Sequence, residues 1–234
     1  MEKETMETME TSSLGDIVTN DFRTALVFKE VGIDFCCGGK KTLKEACDEK
    51  ALDINAIVAK LEQVQLDSAS PSQNFKDWDL GFLADYIVNN HHKYVLKTLP
   101  ELVFYTEKIA KVHGDHHPEL NEVSDLFGKI NAELIQHLKN EEEVLFPAIK
   151  EVLKSNSAAA KATIASEISR MSSEHEFAGG AMDRINELTK GYAIPADACN
   201  TYKVSLKLLQ QFEDDLHIHV HLENNILYPK SLAL

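Results

Sequence analysis

One eleven-residue pattern occurs twice in the sequence, and this repeat constrains the fold more than any other feature. Residues 137–147 and 219–229 both read His, three residues, Glu, two residues, a β-branched residue, Leu, an aromatic residue and Pro. Two copies of so long a pattern are not expected by chance. The repeat therefore indicates an internal duplication in which each half supplies the same chemical groups.

The spacing of His and Glu within the pattern is typical of a metal site on a helix. Residues four apart are separated by about 40° around the helix axis and about 6 Å along it, so they point the same way. Imidazole binds iron, zinc and copper well, and a carboxylate can bridge two ions. A solvated charged face with incidental histidines would explain one copy, but it explains the matched pair poorly. Two facing helices would offer His137, Glu141, His219 and Glu223, as in di-metal carboxylate bundles.

The repeat extends towards the N-terminus and predicts a four-helix bundle. His92 precedes His137 by 45 residues, and His175 precedes His219 by 44. Each half is interpreted as a helical hairpin whose first helix carries one His and whose second carries the His–Glu pair. The apolar stripes place His175 in the core but do not separate His91 from His92. Four His and two Glu resemble the ligand set of a non-haem di-iron centre.

The apolar stripes also sort other polar residues near the repeat. His217 and His221 lie on the face opposite His219, and we interpret them as surface residues. A metal-bound imidazole usually donates its second N–H to a carboxylate. The candidates for that role are Glu142, Glu143, Glu174 and Asp215.

Composition excludes several classes of function. The 234 residues carry a net charge of -14, which argues against nucleic acid or an anionic membrane surface as a partner. No apolar run approaches the length of a membrane-spanning helix. The polar N-terminus lacks the apolar core of a secretory signal, so a cytoplasmic location is expected. The four cysteines do not resemble a disulfide framework and are expected to be free thiols: Cys36, Cys37, Cys47 and Cys199.

The chain divides into three predicted parts. Residues 1–66 form a small N-terminal helical domain, which begins with a disordered segment (1–13) and a helical pattern over 17–28. In this domain Cys36 and Cys37 lie on a glycine-rich turn before a capping box at Thr42 and Glu45. Residues 67–76 are a linker rich in Ser. Residues 77–234 form the bundle, with kinks expected at Pro100 and Pro147, a third helix extending to Lys190 and a fourth opening at Pro195.

Two sets of motifs resemble one known family. Residues 35–40 read Phe-Cys-Cys-Gly-Gly-Lys and are followed by Thr42 and Leu43. The bundle matches the same family at residues 99–102, 112–115, 137–147, 173–175 and 219–229. Over nearly the whole chain past residue 13, the sequence is similar to the bacterial repair-of-iron-centres proteins. These are hemerythrin-like, di-iron iron–sulfur cluster repair factors of the ScdA/YtfE type.

The resemblance implies an all-α, hemerythrin-like four-helix bundle with a small N-terminal ScdA-like helical domain. It implies two iron ions whose ligands fall on His92, His137, Glu141, His175, His219 and Glu223, so it selects His92 over His91. The implied activity is the repair of iron–sulfur clusters damaged by nitric oxide or oxidants, by supplying iron. Cys36 and Cys37 would handle nitric oxide or contact partners, and they are the candidate catalytic residues.

Ligand counting adds one expectation about the iron pair. If both Glu bridge, each iron receives two imidazoles and two carboxylate oxygens. An oxo or hydroxo bridge then leaves one octahedral position open for a small ligand such as nitric oxide or oxygen. Damaged iron–sulfur proteins are the expected partners, but the sequence does not identify them. It also leaves open whether the site reduces nitric oxide and whether the chain forms a homodimer.

Three rival interpretations remain at this point. A hemerythrin-like protein that binds or senses oxygen or nitric oxide would use the same fold, but oxygen carriers use five His with two carboxylates and this chain offers four. A purely structural bundle would bury its histidines as hydrogen-bonded core residues. A zinc hydrolase is disfavoured, because no His-Glu-x-x-His or Cys-rich zinc pattern occurs.

Overall fold

The computed structural model describes residues 9–66 and 73–234. Within these ranges the regular structure is helical and no strand occurs; one isolated β-bridge joins Ser13 to Thr42. The prediction of an all-α fold is therefore confirmed. The predicted disordered start (1–13) and linker (67–76) fall partly outside the described residues, at 1–8 and 67–72.

The described residues form two compact units. The first contains the described residues up to Leu83 together with Val220–Ala233, and the second contains Ala84–His219 with Leu234. The C-terminal helical segment thus packs with the N-terminal residues. The division into domains at 1–66, 67–76 and 77–234 stays a prediction.

The N-terminal part of the first unit consists of short helices. They are α1 (Leu14–Asn20), a 3₁₀ turn (Phe22–Thr24), α2 (Ala25–Glu30), α3 (Leu43–Lys50) and α4 (Ile54–Leu66). The helical pattern predicted over 17–28 is interrupted at Asp21, where the backbone is extended (φ -146°) and the carboxylate accepts from the N–H of Arg23. The predicted capping box of Thr42 and Glu45 is present and begins α3.

The C-terminal segment completes the core of the first unit. Ile226, Leu227 and Tyr228 are buried, as are Leu14 and Phe28. Aromatic rings of the N-terminal residues add edge-to-face contacts, with ring centroids of Phe22 and Phe75 5.4 Å apart and those of Phe75 and Trp78 4.8 Å apart. The first unit therefore depends on residues from both ends of the chain.

The remaining helices follow along the chain from Leu80, and those of the second unit supply the bundle. In chain order they are α5 (Leu80–Ile87), α6 (Lys93–His113), α7 (Glu119–Asn140), α8 (Phe146–Ser155), α9 (Ala158–Leu188), α10 (Asn200–His221) and α11 (Tyr228–Leu232). Within the second unit α7 packs against both α6 and α9. Phe127 of α7 meets Phe212 of α10 edge-on, with ring centroids 5.4 Å apart.

Two helix ends differ from their predicted positions, one by two residues and one by five, for local reasons. The third bundle helix ends at Leu188 rather than Lys190, since Lys190, Gly191 and Tyr192 adopt positive φ. The fourth begins at Asn200, because Pro195 starts a turn in which the N–H of Ala198 donates to its carbonyl. The helix in which a kink was expected at Pro100 is α6, and it continues past that residue.

Three π-helical turns interrupt these helices, at Val88–His92, Glu141–Leu145 and Leu222–Leu227. A π turn accommodates an extra residue and often marks a functional site. Pro147 and Pro229 each come second in the helix that follows a π turn. There the wider turn relieves the clash between the proline ring and the carbonyl four residues earlier. The two copies of the sequence repeat thus adopt the same local structure.

Candidate metal centre

Four predicted ligands, His92, His137, Glu141 and His219, lie close together in the second unit. The Nε2 atoms of His92 and His137 each lie 3.3 Å from the same atom, Oε2 of Glu141. Ligand atoms of His92, Glu141 and His219 all lie within 4.8 Å of one another. These side chains are at most 1% exposed. The π turns place His92 and Glu141 at the meeting point, since the first turn ends with His92 and the second begins with Glu141.

A second pair of imidazoles has the spacing of two ligands of one ion. His137 and His175 bring their Nε2 atoms to 3.0 Å, and both rings are buried. Two nitrogens that each lie about 2.1 Å from an ion, at right angles, are about 3.0 Å apart. Imidazole nitrogen with carboxylate oxygen is a donor set that suits iron and other divalent metals. The residues present therefore fit a metal centre.

Carboxylates on the outer side of the rings orient two of the histidines. Nδ1 of His92 lies 2.9 Å from Oε1 of Glu142, and Nδ1 of His137 lies 2.7 Å from Oε2 of Glu174. A carboxylate can only accept, so each ring carries its proton on Nδ1 and turns the Nε2 lone pair towards the centre. The hydrogen bond from His137 lowers the pKa of Glu174, and Arg170 adds to this effect.

The other two acidic candidates do not orient a predicted ligand. Asp215 Oδ1 accepts instead from Nδ1 of His91, at 2.9 Å, and Glu143 is exposed. His91 is buried and stacks on His219, with ring centroids 5.6 Å apart and planes 11° apart. The structure thus gives His91 a supporting position beside a predicted ligand.

The last predicted ligand, Glu223, lies in the first compact unit. It belongs to the π turn Leu222–Leu227 that continues α10, and it is fully buried. It follows His219 by four residues, as Glu141 follows His137.

The prediction that His221 is a surface residue is wrong. Its side chain is buried against the rings of Phe22 and Phe35, at centroid distances of 6.1 and 5.6 Å. Burial lowers its pKa to about 4, and the amide of Asn225 lies 3.2 Å from its Nδ1. The apolar stripes of the bundle could not reveal this, because N-terminal residues of the first unit cover that face. His217 is partly exposed.

The two candidate catalytic cysteines lie close together but differ in exposure. Cys36 is 4% exposed and Cys37 is half-buried, and their Sγ atoms are 4.0 Å apart. The hydrogen bond to Cys37 and burial together hold the pKa of Cys36 well above its usual value. The turn therefore offers only Cys37 to solvent, and the role of both thiols stays a prediction.

Comparison with known families identifies the class of protein that this fold and site define. Residues 83–231 match the model of the hemerythrin HHE cation binding domain. Residues 10–65 match ScdA_N, a domain of unknown function. The buried His–Glu cluster thus lies within a hemerythrin-type cation-binding bundle.

Curated relatives match the chain over both regions. The iron–sulfur cluster repair protein YtfE of Pectobacterium carotovorum is 38% identical over 223 residues, which are 94% of this chain and 96% of that protein. The proteins of the same name from Enterobacter sp. and Yersinia pseudotuberculosis are 35% and 34% identical, with the same coverage. The chain belongs to the family of the YtfE iron–sulfur cluster repair proteins, as its motifs predicted. Along its described residues, no helix combines the length and apolar character needed to cross a membrane.

Proposed function

We propose that this chain is a di-iron protein that repairs damaged iron–sulfur clusters. The observation that carries the proposal is the buried meeting of two imidazoles, His92 and His137, on one carboxylate oxygen of Glu141. A structural bundle would not need imidazoles from separate helices to turn their Nε2 atoms towards a shared carboxylate. The relatives named as iron–sulfur cluster repair proteins support the same function.

Six residues would hold the two iron ions. Five of them lie in the second unit, and the sequence repeat is the reason for including the sixth, Glu223. Glu223 occupies the position in the second copy that Glu141 occupies in the first. When bound, the iron pair supplies redox-active cations that can take small ligands. The proposed ligands are His92, His137, Glu141, His175, His219 and Glu223.

The residues of this chain prepare the site for iron that is later released. Glu142 and Glu174 hold the protons of two rings at Nδ1, so that the Nε2 atoms can bind a cation without losing a proton. Burial of the cluster limits the access of water. Few protein ligands for each ion make iron a substrate that can be transferred to a damaged iron–sulfur protein. Nitric oxide or oxidants as the cause of damage, and the cytoplasm as the location, remain part of this proposal.

Iron content and iron transfer test the proposal. The protein is purified without oxygen, and its iron stoichiometry and the optical spectrum of its oxidised form are measured. We expect two iron ions per chain and, after reduction, cluster formation in an apo-ferredoxin supplied with sulfide. Iron that never leaves the reduced protein would contradict iron supply, whereas a chain purified without iron would contradict the di-iron site.

The match to the hemerythrin domain model favours one second candidate, a protein that binds or senses oxygen or nitric oxide. A protein of this kind should bind the gas reversibly, and its iron content should not change. Spectra of the reduced protein under repeated cycles of gas and vacuum, with iron measured before and after, separate this candidate from an iron donor.

A further inference from the structure

Three metal-ligating side chains lie together in the first unit, within the region that matches a domain of unknown function. The Sγ atoms of Cys36 and Cys37 are 4.0 Å apart, and Sγ of Cys36 lies 3.1 Å from Oδ1 of Asp34. Around a tetrahedral zinc-like ion these separations would be about 3.8 Å and about 3.5 Å. These two separations are therefore within about 0.4 Å of the spacing that one ion requires, and all three ligand atoms lie within 4.8 Å of one another.

Backbone hydrogen bonds fix this arrangement from the inside of the turn. Oδ1 of Asp34 accepts from the N–H groups of Cys36 and Cys37, at 2.9 and 3.0 Å. Its Oδ2 accepts from the N–H of Gly38, at 2.7 Å. A Cβ at Gly38 would lie 2.7 Å from the carbonyl oxygen of Asp34, so only glycine fits there. The carboxylate is thus held beside the thiols by the backbone.

The C-terminal segment fixes the turn from the outside. The amide nitrogen of Asn225 donates to the carbonyls of Phe35 and Cys36, at 3.3 and 3.1 Å. A Cβ at Gly39 would lie 2.4 Å from the amide oxygen of Asn225. The backbone of the turn is therefore held on both sides, as a preorganised metal site requires.

We propose that Asp34, Cys36 and Cys37 form a second metal site, which takes a thiophilic divalent cation such as zinc. Soft sulfur ligands select such ions, and the carboxylate adds a third, anionic ligand. On binding, the cation displaces one proton from each thiol, so that two metal–sulfur bonds form and two protons are released to solvent. Three protein ligands leave a fourth position for water or an external thiolate.

The alternative is that Asp34 only anchors the turn. That role uses its carboxylate oxygens and three backbone N–H groups, and it requires neither sulfur. A hydrogen bond from the Cys36 thiol to Oδ1 of Asp34 would account for the position of that sulfur, but it does not explain the second, half-buried sulfur of Cys37 beside the same group. The two explanations differ in whether metal binding depends on the sulfur atoms.

Cobalt is the probe that separates them, because thiolate ligands give Co²⁺ an intense charge-transfer absorption that His and Glu ligands do not give. The full-length protein is freed of metal, kept reduced with a phosphine and titrated with Co²⁺. We expect this absorption to saturate at the intensity of one thiolate-bound Co²⁺ per chain and to disappear when Zn²⁺ competes. The bundle can bind Co²⁺ as well, but without a sulfur signal.

Matched variants assign the signal to the turn. Cys36→Ser and Cys37→Ser should each abolish the absorption, whereas Cys199→Ser, an exposed thiol elsewhere, should keep it. Asp34→Asn keeps one of the two oxygens that accept from the backbone and removes the charge, and we expect at least about tenfold weaker binding. Circular dichroism and the iron content of the bundle show whether each variant is folded.

Two results would overturn the second site. One is a folded wild-type protein without thiolate-to-cobalt absorption, and the other is absorption that persists in both Cys36→Ser and Cys37→Ser. A folded wild-type protein that is purified without iron but still gives the cobalt–sulfur signal would instead count against the proposed di-iron function. The failures of the two proposals are therefore distinguishable.

Discussion

At the scale of the residue, His91 and His92 show how one step along a helix changes the role of an imidazole. Both follow an apolar helix and both are buried, so the apolar pattern could not separate them. In the structure the Nε2 atom of His92 faces Glu141, while His91 bonds to Asp215. The difference depends on the π turn that ends at His92, and hydrophobic periodicity does not encode such a turn. The family motif, not the pattern, selected His92.

Glu141→Ala should reduce the iron content from two ions per chain to one or none. Its Oε2 is the atom that both His92 and His137 approach, so its loss would remove negative charge that the proposed di-iron site needs to hold its cations. His217→Ala is the matched control, because His217 is a partly exposed imidazole on the same bundle, and it should keep both ions. Iron measured on proteins purified in parallel decides the point. Equal loss in the two variants would contradict the proposed ligand set.

Cys199 should react with alkylating agents at neutral pH. Hydrogen bonds from the backbone N–H of Tyr202 and from His113 lower its pKa from 9.0 to about 7, and its Sγ lies 3.2 Å from Nε2 of His113. The thiolate is the reactive form. A lowered pKa means that it is populated above about pH 7, so the alkylation rate should rise through that value. Mass spectrometry of iodoacetamide-treated protein gives the rate at each pH.

One other thiol, Cys36, and one variant provide the comparison for Cys199. The pKa of Cys36 is raised, so this residue should stay unmodified over the same pH range. His113→Gln should move the midpoint of Cys199 upward, because the imidazole no longer stabilises the thiolate. A midpoint that does not move would show that the backbone N–H groups alone set this pKa.

At the scale of the element, the sequence predicted the helices better than their ends. The 3.6-residue apolar period is present along each long helix, so their existence follows from the pattern. The start of α10 at Asn200 depends on one turn hydrogen bond after Pro195, and the interruption at Asp21 depends on one carboxylate. Such local choices between competing hydrogen bonds are not encoded in periodicity.

Gly39→Ala should destabilise the protein, and Gly128→Ala should stabilise it. A Cβ at Gly39 would lie 2.4 Å from the Asn225 side chain and 2.7 Å from the carbonyl oxygen of Phe35, and such overpacking costs about 2 kcal/mol. Gly128 lies in α7 with open space around it, so Ala there should add about 1 kcal/mol through helix propensity. Urea unfolding of both variants gives the two changes. A neutral Gly39→Ala would mean that the turn can move away from Asn225.

At the scale of the whole molecule, the duplication and the family could be predicted, whereas the packing of Val220–Ala233 with N-terminal residues could not. Nothing in the local sequence around His221 indicates that Phe22 and Phe35, almost 200 residues earlier, cover it. Contacts between the two ends of a chain depend on the tertiary fold. This is why the surface assignment of His221 was wrong while the helical pattern around it was right.

The described residues include several buried ionisable groups, and the stability of the folded protein should depend on metal. Each of the six proposed ligands is at most 1% exposed: His92, His137, Glu141, His175, His219 and Glu223. Buried ionisable groups are destabilising unless they are paired or bind a cation. A metal that binds only the folded chain adds stability, about 2.7 kcal/mol at a free concentration 100 times its Kd.

Removal of iron with a chelator should therefore lower the melting temperature of the wild-type protein, and Fe²⁺ added without oxygen should restore it. His217→Ala should show the same shift as the wild type, whereas Glu141→Ala should show a smaller one because it binds less metal. Differential scanning calorimetry of each protein with and without metal measures these shifts. An unchanged melting temperature in the wild-type protein would mean that the buried imidazoles and carboxylates are stable by their own hydrogen bonds, as a structural bundle requires.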